Sequence, residues 1–250
     1  MIQAASRAKS PLKTHYHHEF QNVWDIKDQF NERQEDLRHS KCVGLGFSSE
    51  DRHRPIALKG DYQYRPDLSF SNFTQAQFGA CRLKHIKLQR SLFQEAVFRR
   101  MSRFNLVDFS SSFFLDVKLC GRFIQCVFDR SWFVNKQAQH EAPAIFGVEN
   151  EVVMSAPRFK QCHFDKTRFE NIALRWVKFE RCTFRAGIFK NVKMDHVKFE
   201  GCTFEGNRYE DVTLVECKRR RDDTDPVIDF TCDQLGEAVD GLGGFRSELS

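Results

Sequence analysis

Between residues 159 and 218 the chain repeats itself every twenty residues, and inside each repeat a large apolar residue recurs every five. Written as three rows, FKQCHFDKTRFENIALRWVK, FERCTFRAGIFKNVKMDHVK and FEGCTFEGNRYEDVTLVECK match column by column. Phe159, Phe179 and Phe199 share one column, Cys162, Cys182 and Cys202 a second, and Phe164, Phe184 and Phe204 a third. The fifth-residue positions run Phe159, Phe164, Phe169, Leu174, Phe179, Phe184, Phe189, Met194, Phe199, Phe204, Tyr209 and Leu214 without a polar exception. At the chain's 41% apolar content, twelve such hits in a row have a chance probability of about 10⁻⁵. Two residues before each centre the chain places Cys, Thr, Ile, Val, Gly, Asn or Pro, never a charge.

The stretch 66–133 keeps the same phase with two slips. Centres fall at Leu68, Phe73, Phe78, Leu83, Leu88, Phe93 and Phe98; one residue is inserted before Phe104, Phe109, Phe114 and Leu119; one is dropped before Phe123, Phe128 and Phe133. A helix repeats every 3.6 residues and a strand every 2, so a period of five fits neither. It suits a chain that turns a corner every five residues and closes a four-sided coil in twenty. The centre and the small residue two before it point inward, the others face water, and stacked coils pair their backbones about 4.8 Å apart. A leucine-rich repeat also runs near twenty residues but spaces its leucines unevenly and would not hold one phase for twelve steps.

On these residues the chain resembles the pentapeptide-repeat family, over 66–133 and about 154–218. The family pattern places Ala two before a central Leu or Phe, with Asp or Asn between. Asp67, Asn72 and Asp108 keep that middle residue, while Gln77, Arg82, Lys87 and Val97 depart from it. The resemblance implies an all-β fold: a right-handed quadrilateral parallel β-helix, a solenoid, with short helical or irregular flanking segments. The expected structural core is Phe159, Cys162, Phe164, Phe169, Phe179, Cys182, Phe184, Phe189, Phe199, Cys202 and Phe204.

Five segments follow. Residues 1–65 form an N-terminal segment, with a helical cap over 18–38 carrying Val23, Ile26, Phe30 and Leu37; 66–133 is the first array; 134–153 is an interrupting loop and the first suspect for partner binding; 154–218 is the second array; 219–250 is a tail with a short helix after Thr231 stopped by Gly243 and Gly244. The run Lys218-Arg219-Arg220-Arg221 reads as a solvated charge cluster offset by Asp222 and Asp223, in preference to a nuclear address.

No chemistry of the catalytic kind gathers in the sequence. There is no P-loop, G-x-S-x-G, H-E-x-x-H or dinucleotide fingerprint, so no catalytic, cofactor or metal residues are assigned and no small-molecule substrate is expected. His15, His17 and His18 lack any ligand framework beside them. The Cys162–Cys182–Cys202 column reads as packing, and the nine cysteines, with no C-x-x-C pair, as reduced thiols. With no signal peptide and no run long enough to span a bilayer, the expectation is a cytoplasmic protein, nuclear or non-classically exported locations being the alternatives.

Function follows from the surface. The resemblance implies a rigid scaffold for protein–protein interaction, an effector or adaptor, whose partner is another protein. A topoisomerase-protecting DNA mimic is the alternative, but such members are acidic, and here 66–133 carries a net +5 and 159–218 a net +3. A third reading is an anionic-surface or nucleic-acid binder through Arg82, Lys84, Lys87, Arg90, Arg99, Arg100 and Arg103, a basic patch opposed only by Glu95; a nucleic-acid partner ranks below a protein one. Arg82, Lys87 and Arg103 are expected on one general side. In the second array Asp165, Arg185 and Glu205 alternate in sign, as do Glu170, Lys190 and Glu210, while Lys178, Lys198 and Lys218 do not and read as a solvated edge.

Overall fold

The computed structural model describes residues 65–79, 81–136 and 157–220, with shorter stretches at 18–20, 26, 38, 40–43, 45–47, 56–60, 144–146 and 228–230. Short strands pair in parallel with the strand one coil away, and four such stacks follow one another in chain order to make the four faces of a solenoid. The first face stacks Asp67, Lys87, Asp108, Val127 and His163 through single bridges, then continues as His163–Asp165, Thr183–Arg185 and Thr203–Glu205. The second stacks Leu92–Gln94, Phe113–Leu115 and Trp132–Val134 on Arg168–Arg175, Ile188–Asp195 and Arg208–Val215. Those last three strands turn a corner and supply the third face too, which begins as Gly46–Phe47, Gln77–Phe78, Val97–Phe98 and Lys118–Leu119. The fourth is the longest, from Ile56–Lys59 through Cys81–Lys84, Arg103–Asn105, Arg122–Ile124, Arg158–Lys160, Lys178–Glu180 and Lys198–Glu200 to Cys217–Arg220.

The interior is filled by stacked rings. On the second face Phe73, Phe93, Phe114, Phe133, Phe169, Phe189 and Tyr209 form an unbroken pile with centroid spacings of 4.5–5.2 Å. Shorter piles rise through Phe109, Phe128, Phe164, Phe184 and Phe204 and through Phe104, Phe123, Phe159, Phe179 and Phe199. Rings on adjacent faces meet tilted or edge-on, as Phe164 meets Phe179 at 81°, the arrangement that brings a ring's positive edge to its neighbour's negative face. The phenylalanine excess, 26 Phe against 4 Tyr and 3 Trp, is explained by one kind of slot filled many times. Phe204, near the last coil, is only partly buried.

One corner column replaces apolar contact with hydrogen bonds. Two before each second-face centre stand Ser71, Ser91, Ser112, Ser131 and Thr167, all buried. Ser91 Oγ accepts the Ser71 N–H at 3.2 Å and Ser112 Oγ accepts the Ser91 N–H at 3.1 Å. Ser112, Ser131 and Thr167 each donate to a ring-bearing or leucine carbonyl of the coil before at 2.7 Å. Further along, Asn207 does the same work across the side-chain-free Gly187: its Oδ1 accepts the Gly187 N–H at 2.8 Å and its Nδ2 donates to Phe184 O at 3.0 Å. A buried backbone donor left without a partner is costly, so hydroxyls and one amide are what this corner needs.

The two phase slips fall at one place. The inserted residue opens the corner after Phe98, where Met101 stands 62% exposed. One coil on, Gly121 is both the corner after Leu119 and the small slot before Phe123. It sits at φ 100°, and a Cβ there would lie 2.6 Å from Ser102 Oγ. An insertion and a deletion thus stack on each other and cancel.

Four expectations change. Part of 1–65 is coil: Ser40–Lys41, Gly46–Phe47 and Ile56–Lys59 pair onto the first array. The five-period is invisible there because strand pairing needs only backbone, and the connections between these strands are not five residues apart. Within 18–38, His18–Glu19 is a strand parallel to Ser40–Lys41, and Ile26 is helical; the rest of the expected helix, apart from Phe20 and Arg38, lies outside the described residues. The interruption 134–153 is not wholly loop. Ala144–Phe146 pairs with Ile172–Leu174 and supplies a third-face strand, while Phe123 pairs with Phe159 across it. Lastly, the tail begins inside the solenoid. Lys218 faces out, Arg219 takes the inward slot at 5% exposure, and Ile228–Phe230 returns antiparallel along Cys217–Arg219. The tail helix after Thr231 lies outside the described residues.

Candidate functional site

What positions every outward side chain is the corner. The residue two after a centre adopts a left-handed backbone almost without exception: Phe70, Gln75, His85, Arg90, Glu95, Leu106, Ser111 and Asp116 in the first array, and Gln161, Lys166, Asn171, Trp176, Arg181, Ala186, Asn191 and His196 in the second, with φ between 49° and 61°. The chain therefore bends once per five residues, with centres and small residues inside and the residues flanking each centre outside. Its fold is the four-sided β-helix of pentapeptide-repeat proteins. No family model matches the sequence, and no curated protein does. Solved structures similar to it include QnrB1, a plasmid-mediated fluoroquinolone resistance protein, at 12% identity, covering 79% of this chain and 87% of that one with a TM-score of 0.33. HetL, a pentapeptide repeat protein involved in heterocyst differentiation regulation from the cyanobacterium Nostoc sp. strain PCC 7120, is 10% identical, covering 79% of this chain and 97% of that one with a TM-score of 0.19. The fold assignment rests on the repeat geometry itself.

In such a coil the residue before a centre stacks on its counterpart in the next coil. On the fourth face that column reads Arg82, Arg103, Arg122, Arg158, Lys178, Lys198 and Lys218, each in Cα register with the next. Seven consecutive coils thus present a cation at one position. All are exposed except the half-buried Lys178. Lys178 reaches Glu200 at 2.6 Å; among the described residues no carboxylate lies within ion-pair distance of Arg82, Arg103, Arg122, Arg158 or Lys198. The column on the other side of the centres reads Lys84, Asn105, Ile124, Lys160, Glu180, Glu200 and Arg220. Glu180 there accepts from Lys160 at 2.7 Å, and that hydrogen bond holds its carboxyl below the usual carboxylate range.

The basic patch grouped along the sequence is divided by the fold. Arg82, Lys84 and Arg103 lie on the fourth face, with Arg82 directly in register with Arg103. Lys87 is on the first face, bridged between Asp67 and Asp108 and 3.7 Å from the Asp67 carboxylate. Arg90 occupies a corner over the Phe70 ring at 5.5 Å. Arg99 is on the third face, donating to Gln77 at 3.2 Å, and Arg100 is in the enlarged corner beside it. Proximity in sequence is a poor guide here, because five residues rotate the chain by one face. The signal that finds the ladder is the residue before every fourth centre, carried through both slips and the interruption.

A second surface is apolar. Outside the second face, Leu92, Phe113, Leu115, Trp132 and Val134 flank inward Phe93, Phe114 and Phe133. Phe113 and Trp132 touch at 5.5 Å, and Arg168 covers the Trp132 ring at 5.0 Å. Strands apolar on both sides belong to sheets covered on both sides; here one side is the core and the other is the outer surface.

The thiols are structural. Cys126, Cys162, Cys182 and Cys202 donate to the carbonyls of Phe104, Phe123, Phe159 and Phe179 at 3.4–3.5 Å, the work serine does at the next corner. Burial pushes the Cys42, Cys81 and Cys202 thiols up, so they stay protonated and poor as nucleophiles or metal ligands. Among the described residues no three His, Cys, Asp or Glu gather to hold a metal, and no helix is long and apolar enough to cross a membrane.

Proposed function

We propose that the protein is a non-enzymatic scaffold that mediates protein–protein interaction through the outside of its second face. The carrying observation is the stripe of Leu92, Phe113, Leu115, Trp132 and Val134 on a sheet whose other side is a solid core of stacked rings. Trp132 is exposed, and Leu92, Phe113, Leu115 and Val134 are half-buried on the outer side beside it; contiguous apolar surface reaching solvent marks interaction sites, and a rigid sheet presents it with little entropy to lose on binding. The interruption at 134–153 begins at Val134, the last residue of this stripe, which keeps it in the same candidate interface. The sign of charge counts against the DNA-mimic reading: the fourth face offers a duplex-binding partner cations, not phosphate-like anions.

Affinity capture with the intact chain and with Phe113→Ser/Trp132→Ser tests the reading. A protein retained by the former and lost by the latter, and reproducing that difference once purified, supports it. Equal binding of the purified partner to both overturns it.

A further inference from the structure

We propose that the fourth-face ladder binds the phosphate backbone of duplex nucleic acid without reading its sequence. The proposal stands apart from the second face and needs no protein partner there.

The ladder costs the fold something. Like charges directly opposite each other on neighbouring strands repel, and Arg82, Arg103, Arg122 and Arg158 are stacked at successive coils with no carboxylate between them among the described residues. Elsewhere the same solenoid relieves its columns by alternation: Asp165 with Arg185 at 3.0 Å, Lys190 with Glu210 at 3.3 Å. An external polyanion would supply what the fourth face omits.

Spacing selects the polyanion. Cations repeat at the coil pitch of about 4.8 Å, so seven span about 29 Å. A duplex carries one negative charge per about 1.7 Å of axis, so phosphates outnumber the cations along that length and each cation finds one in any register. An extended acidic peptide offers carboxylates on one side only every two residues, about 6.7 Å apart, and falls out of step with the ladder within two coils. Four of the seven cations are arginines, whose planar forks meet phosphate oxygens two at a time. The flanking column of Lys84, Asn105, Ile124, Lys160, Glu180, Glu200 and Arg220 contains no aromatic ring on which an unpaired base could stack, as single-strand binders require. The contacts are therefore to backbone, which positions a duplex but does not specify it.

The test is fluorescence anisotropy of a labelled 20-base-pair duplex titrated with the full chain across salt. Counting the four arginines alone, about four phosphates are neutralised and affinity should fall at least roughly 100-fold between 50 and 200 mM salt, a log–log slope of about −3.6 or steeper. Arg82→Gln/Arg103→Gln/Arg122→Gln/Arg158→Gln should abolish most of that slope while melting no lower than the parent, since removing the repulsion does not weaken the coil. Arg90→Gln/Arg99→Gln/Arg130→Gln/Lys193→Gln removes the same charge from other faces and corners and should keep both slope and affinity. Absence of duplex binding by the intact chain, equal losses in the two quadruple variants, or competition by polyglutamate as effective as by unlabelled duplex would each overturn the proposal, the last in favour of an acidic protein.

Discussion

The two arrays bury the same kind of core by unlike means. Residues 159–218 repeat every twenty without a slip, run through one corner in eight-residue strands such as Arg168–Arg175 and Ile188–Asp195, and balance two outer columns in stacked pairs, Asp165 with Arg185 and Lys190 with Glu210. Residues 66–133 carry an insertion, a deletion, shorter strands and a serine-lined corner, and leave most of the apolar stripe and three of the ladder's four arginines, Arg82, Arg103 and Arg122, uncompensated. Yet Phe114 and Phe184 are each sandwiched between parallel rings within 5 Å. Regularity is therefore not what the core demands. It is the outside of the first array that departs from self-sufficiency, and that is where partners are expected.

If both cores are equivalent, Phe114→Ala and Phe184→Ala should each cost about 3–5 kcal/mol in denaturant melts. A first array that tolerates its substitution while the second does not would break the equivalence. Gly121→Ala should follow, at about 1–3 kcal/mol for the left-handed backbone alone, with more for the displacement of Ser102. Gly187→Ala, at ordinary φ and meeting the Asn207 amide at 3.0 Å, should cost visibly less; comparable losses would mean that the cancelled slip is not the strained point.

The corners separate the arrays more finely. Ser112→Ala removes the acceptor of the Ser91 N–H and should cost about 1–3 kcal/mol. Cys182→Ala removes only a weak thiol donor and should cost less than about 1 kcal/mol. Smallest of all, Arg130→Gly and Lys166→Gly relieve left-handed backbone at φ 57° and 54° and should each stabilise by up to about 1 kcal/mol. Destabilisation by both would show that these corners gain more from their side chains than they lose to strain.

Much of this was legible in the sequence. The inward columns follow from the period alone, because a slot filled by Phe159, Phe179 and Phe199 has one physical meaning, and the two slips are visible as shifts of phase. The coil made by Ser40–Lys41, Gly46–Phe47 and Ile56–Lys59 was not legible, nor was the strand Ala144–Phe146, since backbone pairing leaves no periodic mark when connections vary in length. The basic surface was legible only in pieces. Lys178, Lys198 and Lys218 are twenty apart and stood out as a column, while Arg82, Arg103, Arg122 and Arg158 are separated by a slip or the interruption and join it only once the faces are known.

The fourth face runs unbroken from the first array into the second, making one continuous solenoid. Ile124 and Lys160 are register partners across the interruption, both flanking inward rings. With Ile124→Cys/Lys160→Cys in the otherwise intact chain, whose eight described cysteines are buried, a short bismaleimide should link the two positions rapidly and in high yield, as peptide mapping would show. Ile124→Cys/Arg220→Cys, several coils apart on the same column, should remain unlinked. Failure of the first pair to link, or equal linking of both, would contradict a single solenoid.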